Sequence, residues 1–122
     1  MLARRSALNV ADNTGAKSLV IIGGRHGSKK RFIRLGETVT CVVRGAAAQG
    51  QVKDHQIVKA VIIRTRKEVR RPDGSYIRFS DNAAVVCDDK GLPLGTRIFG
   101  PVAQELKTIG FTKIVSMAKE VY

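Results

Sequence analysis

Apolar residues in this chain come in short runs broken by turn residues, and those runs set the first expectation. Ser6 to Val10 leads into Asp12-Asn13-Thr14-Gly15, a turn composition, and Ser18-Leu19-Val20-Ile21-Ile22 stops at Gly23-Gly24. Phe32 to Leu35, a turn at Gly36 and the alternating run Thr38 to Val43 follow; Gly45 to Gly50 reads as a loop, and Ile57 to Ile63 as a buried strand. The runs are short and rich in β-branched residues, which favours strand over helix. No repeat or linker divides the chain, so residues 1–122 are expected to form a single, mainly β domain, a small closed barrel or sandwich.

The sharpest local signal is a hairpin at Arg71-Pro72-Asp73-Gly74. Proline presets φ at one turn position, and glycine accepts the positive φ that lets the chain leave. The flanking strands, Ile62 to Arg70 and Ser75 to Phe79, run on from apolar into charged sequence. Alternation puts Arg64, Arg66, Glu68 and Arg70 on one face and Thr65, Lys67 and Val69 on the other. With both faces polar, the distal half is expected to project as a basic ribbon, so reversing Arg70 and Arg71 together should leave stability nearly unchanged. Near the end, Gly100-Pro101 with Val102, Glu105 and Leu106 predicts a short helix with proline in its first turn, closed by Gly110. Phe111 to Met117 then reads as a strand.

Charge changes the picture from a fold to a partner. The chain carries 22 Lys and Arg against 10 Asp and Glu, a formal net charge of +12. So large an excess repels itself in a compact state unless a polyanion neutralises it, and nucleic acid is the commonest polyanion. The excess is also clustered. Arg25, Lys29, Lys30, Arg31 and Arg34 fill a glycine-flanked stretch, while Lys59, Arg64, Arg66, Lys67, Arg70, Arg71 and Arg78 lie on or beside the hairpin, against only Glu68 and Asp73. A merely soluble surface would intersperse the signs. A membrane surface is the weaker alternative, because there is no basic amphipathic helix of useful length and no apolar run long enough to span.

Catalytic and metal chemistry finds no foothold in the pattern. Gly23-Gly24-Arg25-His26-Gly27-Ser28-Lys29 lacks the spacing of a phosphate-binding loop, His26 and His55 have no ligand-like neighbours, and Asp88-Asp89-Lys90-Gly91 reads as a turn. Cys41 and Cys87 fall in apolar strand-like runs and are expected to be reduced core residues. The start, Met1-Leu2-Ala3-Arg4-Arg5-Ser6, is too short for a transit peptide before strand begins. No enzyme activity, cofactor or metal is expected. A single-strand binder would need aromatics gathered on one sheet face, whereas Phe32, Tyr76, Phe79, Phe99 and Phe111 are scattered.

From Ala60 to Val86 the chain runs A-V-I-I, nine residues, D-G, four residues, F, two residues, N, two residues, V-V. This spacing resembles the signature of the fourteenth large-subunit ribosomal protein family, of bacterial and organellar type. The likeness continues in Leu8-Asn9-Val10-Ala11-Asp12-Asn13, Val69 to Ser75, Asp81-Asn82-Ala83-Ala84-Val85, Gly95-Thr96-Arg97-Ile98-Phe99-Gly100-Pro101 and Lys113-Ile114-Val115-Ser116. The sequence departs from the family at its Met1-Leu2-Ala3-Arg4-Arg5 start, in the loop Gly45 to Gly50 and at Ala118-Lys119-Glu120.

The resemblance implies a five-stranded β-barrel with a projecting β-ribbon and short C-terminal helices. It implies a scaffold on large-subunit ribosomal RNA at the face meeting the small subunit, with a contact to small-subunit RNA in an intersubunit bridge. The third and nineteenth large-subunit proteins are the implied neighbours, and the ribosomal silencing factor would dock at Thr96, Arg97 and Lys113. The ribosome would lie in bacterial cytoplasm, mitochondrion or plastid. The RNA contacts expected from the charge clusters and the resemblance together are Arg4, Arg5, Lys17, Arg25, Lys29, Lys30, Arg31, Arg34, Lys53, Arg64, Arg66, Lys67, Arg70, Arg71 and Arg78.

Overall fold

The computed structural model describes residues 6–24 and 33–122. Its strands are β1 (Ala7–Val10), β2 (Ala16–Gly24), β3 (Thr38–Ala46), β4 (Ile57–Arg64), β5 (Val69–Arg70), β6 (Tyr76–Ile77) and β7 (Ala83–Cys87), followed by α1 (Glu105–Ile109) and α2 (Thr112–Met117). Strands β1, β2, β3, β4 and β7 close into a barrel in that order, and β5 pairs with β6 as a separate two-stranded ribbon. Neighbours are antiparallel except at the closure, where β1 runs parallel to β7 with Asn9 opposite Ala83. Closure leaves the barrel without an open edge for another chain to extend.

Alternation fills the interior. Leu8, Leu19, Ile21, Val39, Cys41, Val43, Val58, Ala60, Ile62, Ala84 and Val86 turn inward and pack with Ile33, Leu35, Val52 and Ala103. A second core lies on the opposite face of β4 and β7. There Val61, Ile63, Ala83, Val85 and Cys87 pack against Ile98, Val102, Leu106 and Ile114. Strand β7 and the latter part of β4 are therefore buried on both faces, and so Ala60 to Ile63 and Ala83 to Cys87 read as unbroken apolar runs.

Several local expectations are corrected. Phe111 to Met117 is not a strand, because α2 occupies Thr112–Met117. Phe111, Ile114, Val115 and Ala118 all face the second core, the i, i+3, i+4, i+7 spacing of a helix. Pro101 does not open a helix either. Helix α1 begins at Glu105, and the proline's carbonyl instead receives Arg64 Nη1 at 3.0 Å. Gly110 does end α1, at φ 121°, with its N–H on the Leu106 carbonyl. Of the run Phe32 to Leu35, Phe32 lies outside the described residues and Ile33 makes only a single bridge.

The hairpin turn is as expected. Arg71 N–H bonds the Ser75 carbonyl at 2.8 Å, Gly74 takes φ 91°, and the Asp73 carboxylate accepts from the Ser75 amide and hydroxyl. Its flanking strands are not. The ladder between β4 and the ribbon is interrupted, Arg64 and Thr65 are buried, and Val69 and Phe79 pack against the barrel core. Arg66 N–H bonds Asn82 Oδ1 and Phe79 N–H bonds the Thr65 carbonyl, so the chain is held to the barrel where a continuous ribbon would have left it.

Candidate nucleic-acid interface

The structure sorts the expected cations into groups that face outward and groups that do not. Arg64 belongs inside. Its side chain is 9% exposed; Nε and Nη2 reach the two Asp81 oxygens at 3.0 and 3.3 Å, and Nη1 reaches the Phe99 and Pro101 carbonyls at 2.8 and 3.0 Å. Four of its five N–H groups are thus spent on tying β4 to the segments before β7 and α1. The charge cluster counts Arg64 among the RNA contacts, but the outer face of the strand is covered at this point. Gly100, at φ 81°, leaves room for this guanidinium, because a side chain there would collide with it.

Arg71 is also committed. Its Nε lies 2.6 Å from Glu105 Oε1, a charge contact off the line of a hydrogen bond that leaves Nε and Glu105 Oε2 buried without hydrogen-bond partners. Its Nη2 donates to the Tyr122 carbonyl. The expectation that charge reversal at both Arg70 and Arg71 would spare stability is corrected for Arg71, which joins the ribbon to α1 and the tail.

The outward group on the ribbon is Arg66, Lys67, Arg70 and Arg78. Lys67 pairs loosely with Glu68 at 3.3 Å, with both side chains about half exposed. Glu68 is held below the usual carboxylate range by its own backbone N–H and then by Lys67. Arg34 comes from a different part of the chain, yet it joins Lys67, Glu68, Arg70, Thr65, Val69 and Leu35 around a cleft of about 250 Å³. Gly36 N–H bonding the Ile62 carbonyl at 2.8 Å is what brings the Arg34 segment to the ribbon.

Lys17 and Lys53 lie elsewhere. They flank the far end of the β3–β4 hairpin together with exposed Arg44, a cation that the charge clusters missed although it interrupts the apolar alternation of β3. Among the described residues Lys17, Arg34, Arg44, Lys53, Arg66 and Arg70 form no ion pair with a carboxylate. Arg4, Arg5, Arg25, Lys29, Lys30 and Arg31 lie outside the described residues.

The family-like blocks at Asp12-Asn13, Val85-Val86 and Gly95-Thr96-Arg97 meet in space. Asp12 Oδ1 accepts from the Thr14 amide and hydroxyl, and Oδ2 accepts from Val86 N–H at 2.8 Å. Burial pushes this carboxyl above its usual range against those hydrogen bonds. Asn13 Oδ1 accepts from the amides of Thr96 and Arg97, while its Nδ2 donates to Thr96 Oγ1 at 2.8 Å. Gly95 is required beside it, since a Cβ would meet the Asn13 side chain at 2.6 Å. So anchored, Thr96 and Arg97 line an open groove of about 560 Å³ with Phe99, Met117 and Lys119; Phe99 is 54% exposed. Lys113 is exposed on α2 and does not line this groove.

Among the described residues there is no cluster of three or more His, Cys, Asp or Glu able to hold a metal ion, and no helix long and apolar enough to cross a membrane. Cys41 and Cys87 are free and buried, and burial pushes both thiols up to about 12.

Two comparisons with known proteins bear on this surface. Residues 1–122 match the family described as ribosomal protein L14p/L23e. The chain is 52% identical over 121 residues to the large ribosomal subunit protein uL14 of Aquifex aeolicus (strain VF5), covering 99% of each chain. The chain therefore belongs to the ribosomal protein L14p/L23e family, and is a structural constituent of the large ribosomal subunit.

Proposed function

We propose that this protein is a single-domain platform that clamps large-subunit ribosomal RNA at the face meeting the small subunit. The observation that carries this reading is the segregation of its charges. The cations with internal work, Arg64 and Arg71, have close carboxylate partners, whereas of the outward ones Lys17, Arg34, Lys53, Arg66 and Arg70 have none among the described residues and Lys67 has only its exposed pairing with Glu68. Groups of this kind position a protein on folded RNA by neutralising phosphates and releasing condensed counterions. Shape, rather than base sequence, is the feature such a surface reads on helical RNA, whose deep groove hides the bases.

Two parts of the surface have separate roles in this reading. The outward cations of the ribbon and Arg34 hold ribosomal RNA, including small-subunit RNA across a bridge. The groove at Thr96 and Arg97, with Lys113 on α2, receives the ribosomal silencing factor, and the third and nineteenth large-subunit proteins are the neighbours. What supports the second role is the rigid presentation of Thr96 and Arg97 by Asn13 beside exposed Phe99. Arg97→Glu should abolish co-purification with the silencing factor while the variant still enters the large subunit.

The RNA role is tested by affinity for large-subunit RNA across a salt series. With about six to ten phosphates neutralised, log K should fall against log salt with a slope of roughly −4 to −9. A slope near zero would overturn the reading.

A further inference from the structure

We propose that the cleft between Arg34 and the ribbon is a pocket for one unpaired nucleotide, and that it selects bases bearing an exocyclic amino group. This rests on the RNA-binding reading and adds base specificity to it. The cleft's composition is what distinguishes it from a plain phosphate-binding patch. Leu35, 8% exposed, and half-buried Val69 give it an apolar wall; Arg34, Lys67 and Arg70 stand around it; and one acidic residue lines it with them, Glu68, which stands between this cleft and a neighbouring one at Tyr76, Ile77 and Arg78. At about 250 Å³ it falls just below the roughly 300 Å³ at which pockets begin to take drug-sized ligands, and it is roomier than a lone phosphate needs.

Each part then has a counterpart in a nucleotide. The base lies against Leu35 and Val69, the phosphates on either side meet the cations, and Glu68 accepts a hydrogen bond from the base's amino group. A carboxylate is the natural acceptor for such an edge, and it repels a uracil carbonyl. Specific RNA readers take unpaired bases in this way, because only a base out of the helix exposes its pairing edge. Glu68 pairs only loosely with Lys67, and on a surface meant for phosphate alone its charge weakens attraction.

That cost supplies the test. Large-subunit RNA is titrated with the full chain carrying Glu68→Ala, Glu68→Gln or, as a control acid elsewhere, Asp89→Ala. Nucleotide capture predicts that Glu68→Ala binds about 10-fold more weakly, that Glu68→Gln, which keeps an acceptor, stays near wild type, and that Asp89→Ala is unchanged or tighter. A patch that only neutralises phosphate predicts tighter binding on loss of Glu68, and that result would overturn the proposal while leaving RNA binding itself intact. Failure of the unmodified chain to bind the RNA would instead remove the reading beneath it.

A second measurement separates base from phosphate. Backbone amide shifts of the labelled full chain are followed with cytidine monophosphate, uridine monophosphate and inorganic phosphate. Shifts across Thr65 to Arg70 that are about 10-fold more sensitive to the cytidine nucleotide support the pocket. Equal response to all three would overturn it.

Discussion

Arg64 and Asp12 show how a polar side chain becomes structural. Each is buried, and each is surrounded by the complementary groups it needs: two carbonyls and a carboxylate for Arg64, two amides and a hydroxyl for Asp12. Breaking such a pair is costly because the partner is left without compensation. Arg64→Leu should therefore lower stability by about 3 kcal/mol, read as a fall in melting temperature of about 10 °C. Asp81 is 31% exposed, which keeps the loss below that of a fully enclosed pair.

Asp12 makes a prediction about pH. Its carboxyl is raised by burial, so the folded state holds the proton more tightly than the unfolded chain, and ionising it costs stability as pH rises from about 4 through the folded value. Asp54, Glu68 and Asp73 are lowered and act in the opposite sense in a lower window, adding stability as pH rises from their folded values to the unfolded ones at about 4. Asp12→Asn removes the opposing contribution. The variant should be less stable by about 1–3 kcal/mol, because an amide NH2 must face an N–H donor, yet it should lose less stability than the unmodified chain as pH rises above about 4. Denaturant midpoints measured at several acid pH values check both signs. The buried thiols add a simpler expectation: with both pushed up to about 12, Cys41 and Cys87 should resist a thiol reagent at pH 8 until the protein is unfolded.

At the scale of elements, the ribbon and α2 carry the lessons. The ribbon was legible in its turn, since Pro72, Asp73 and Gly74 each answer a local backbone demand. Its attachment was not legible, because Val69 and Phe79 meet the barrel core only through the path of the whole chain. Two neighbouring arginines consequently part company. Arg70→Glu should weaken RNA association with stability changed by no more than about 0.5 kcal/mol, as for an ordinary surface position. Arg71→Glu sets a carboxylate beside Glu105 and should lower stability measurably even without RNA. Thermal unfolding beside an RNA titration separates the two effects. Helix α2 was misread as strand because its β-branched composition spoke louder than its spacing. Ile114, fully buried in the second core, should cost about 2–5 kcal/mol when truncated to alanine.

The whole molecule is a closed barrel with one coat. Strand β7 and the latter part of β4 are covered on both faces, while β3 keeps a face toward solvent. Amide hydrogen exchange should therefore be slowest in Ala60 to Ile63 and Ala83 to Cys87 and fastest in the ribbon tip at Pro72 to Ser75. The same asymmetry separates stability from function. The coat buries the apolar outer face of β7 and of the latter part of β4, and the exposed cations expected to meet RNA lie on the ribbon, at Arg34 and at the far end of the β3–β4 hairpin.

Short β-branched runs and spaced turns determined the mainly β class without any structure, since period and turn chemistry are local properties. Net charge and its clustering likewise made a polyanion the partner, because charge is additive along a chain. Which cations face that partner was decided only in three dimensions. Arg64 and Arg66 are two residues apart and alike by pattern, but one meets Asp81 and two carbonyls from distant segments and the other meets solvent. Burial depends on what the rest of the chain lays over a residue, and no local pattern carries that information.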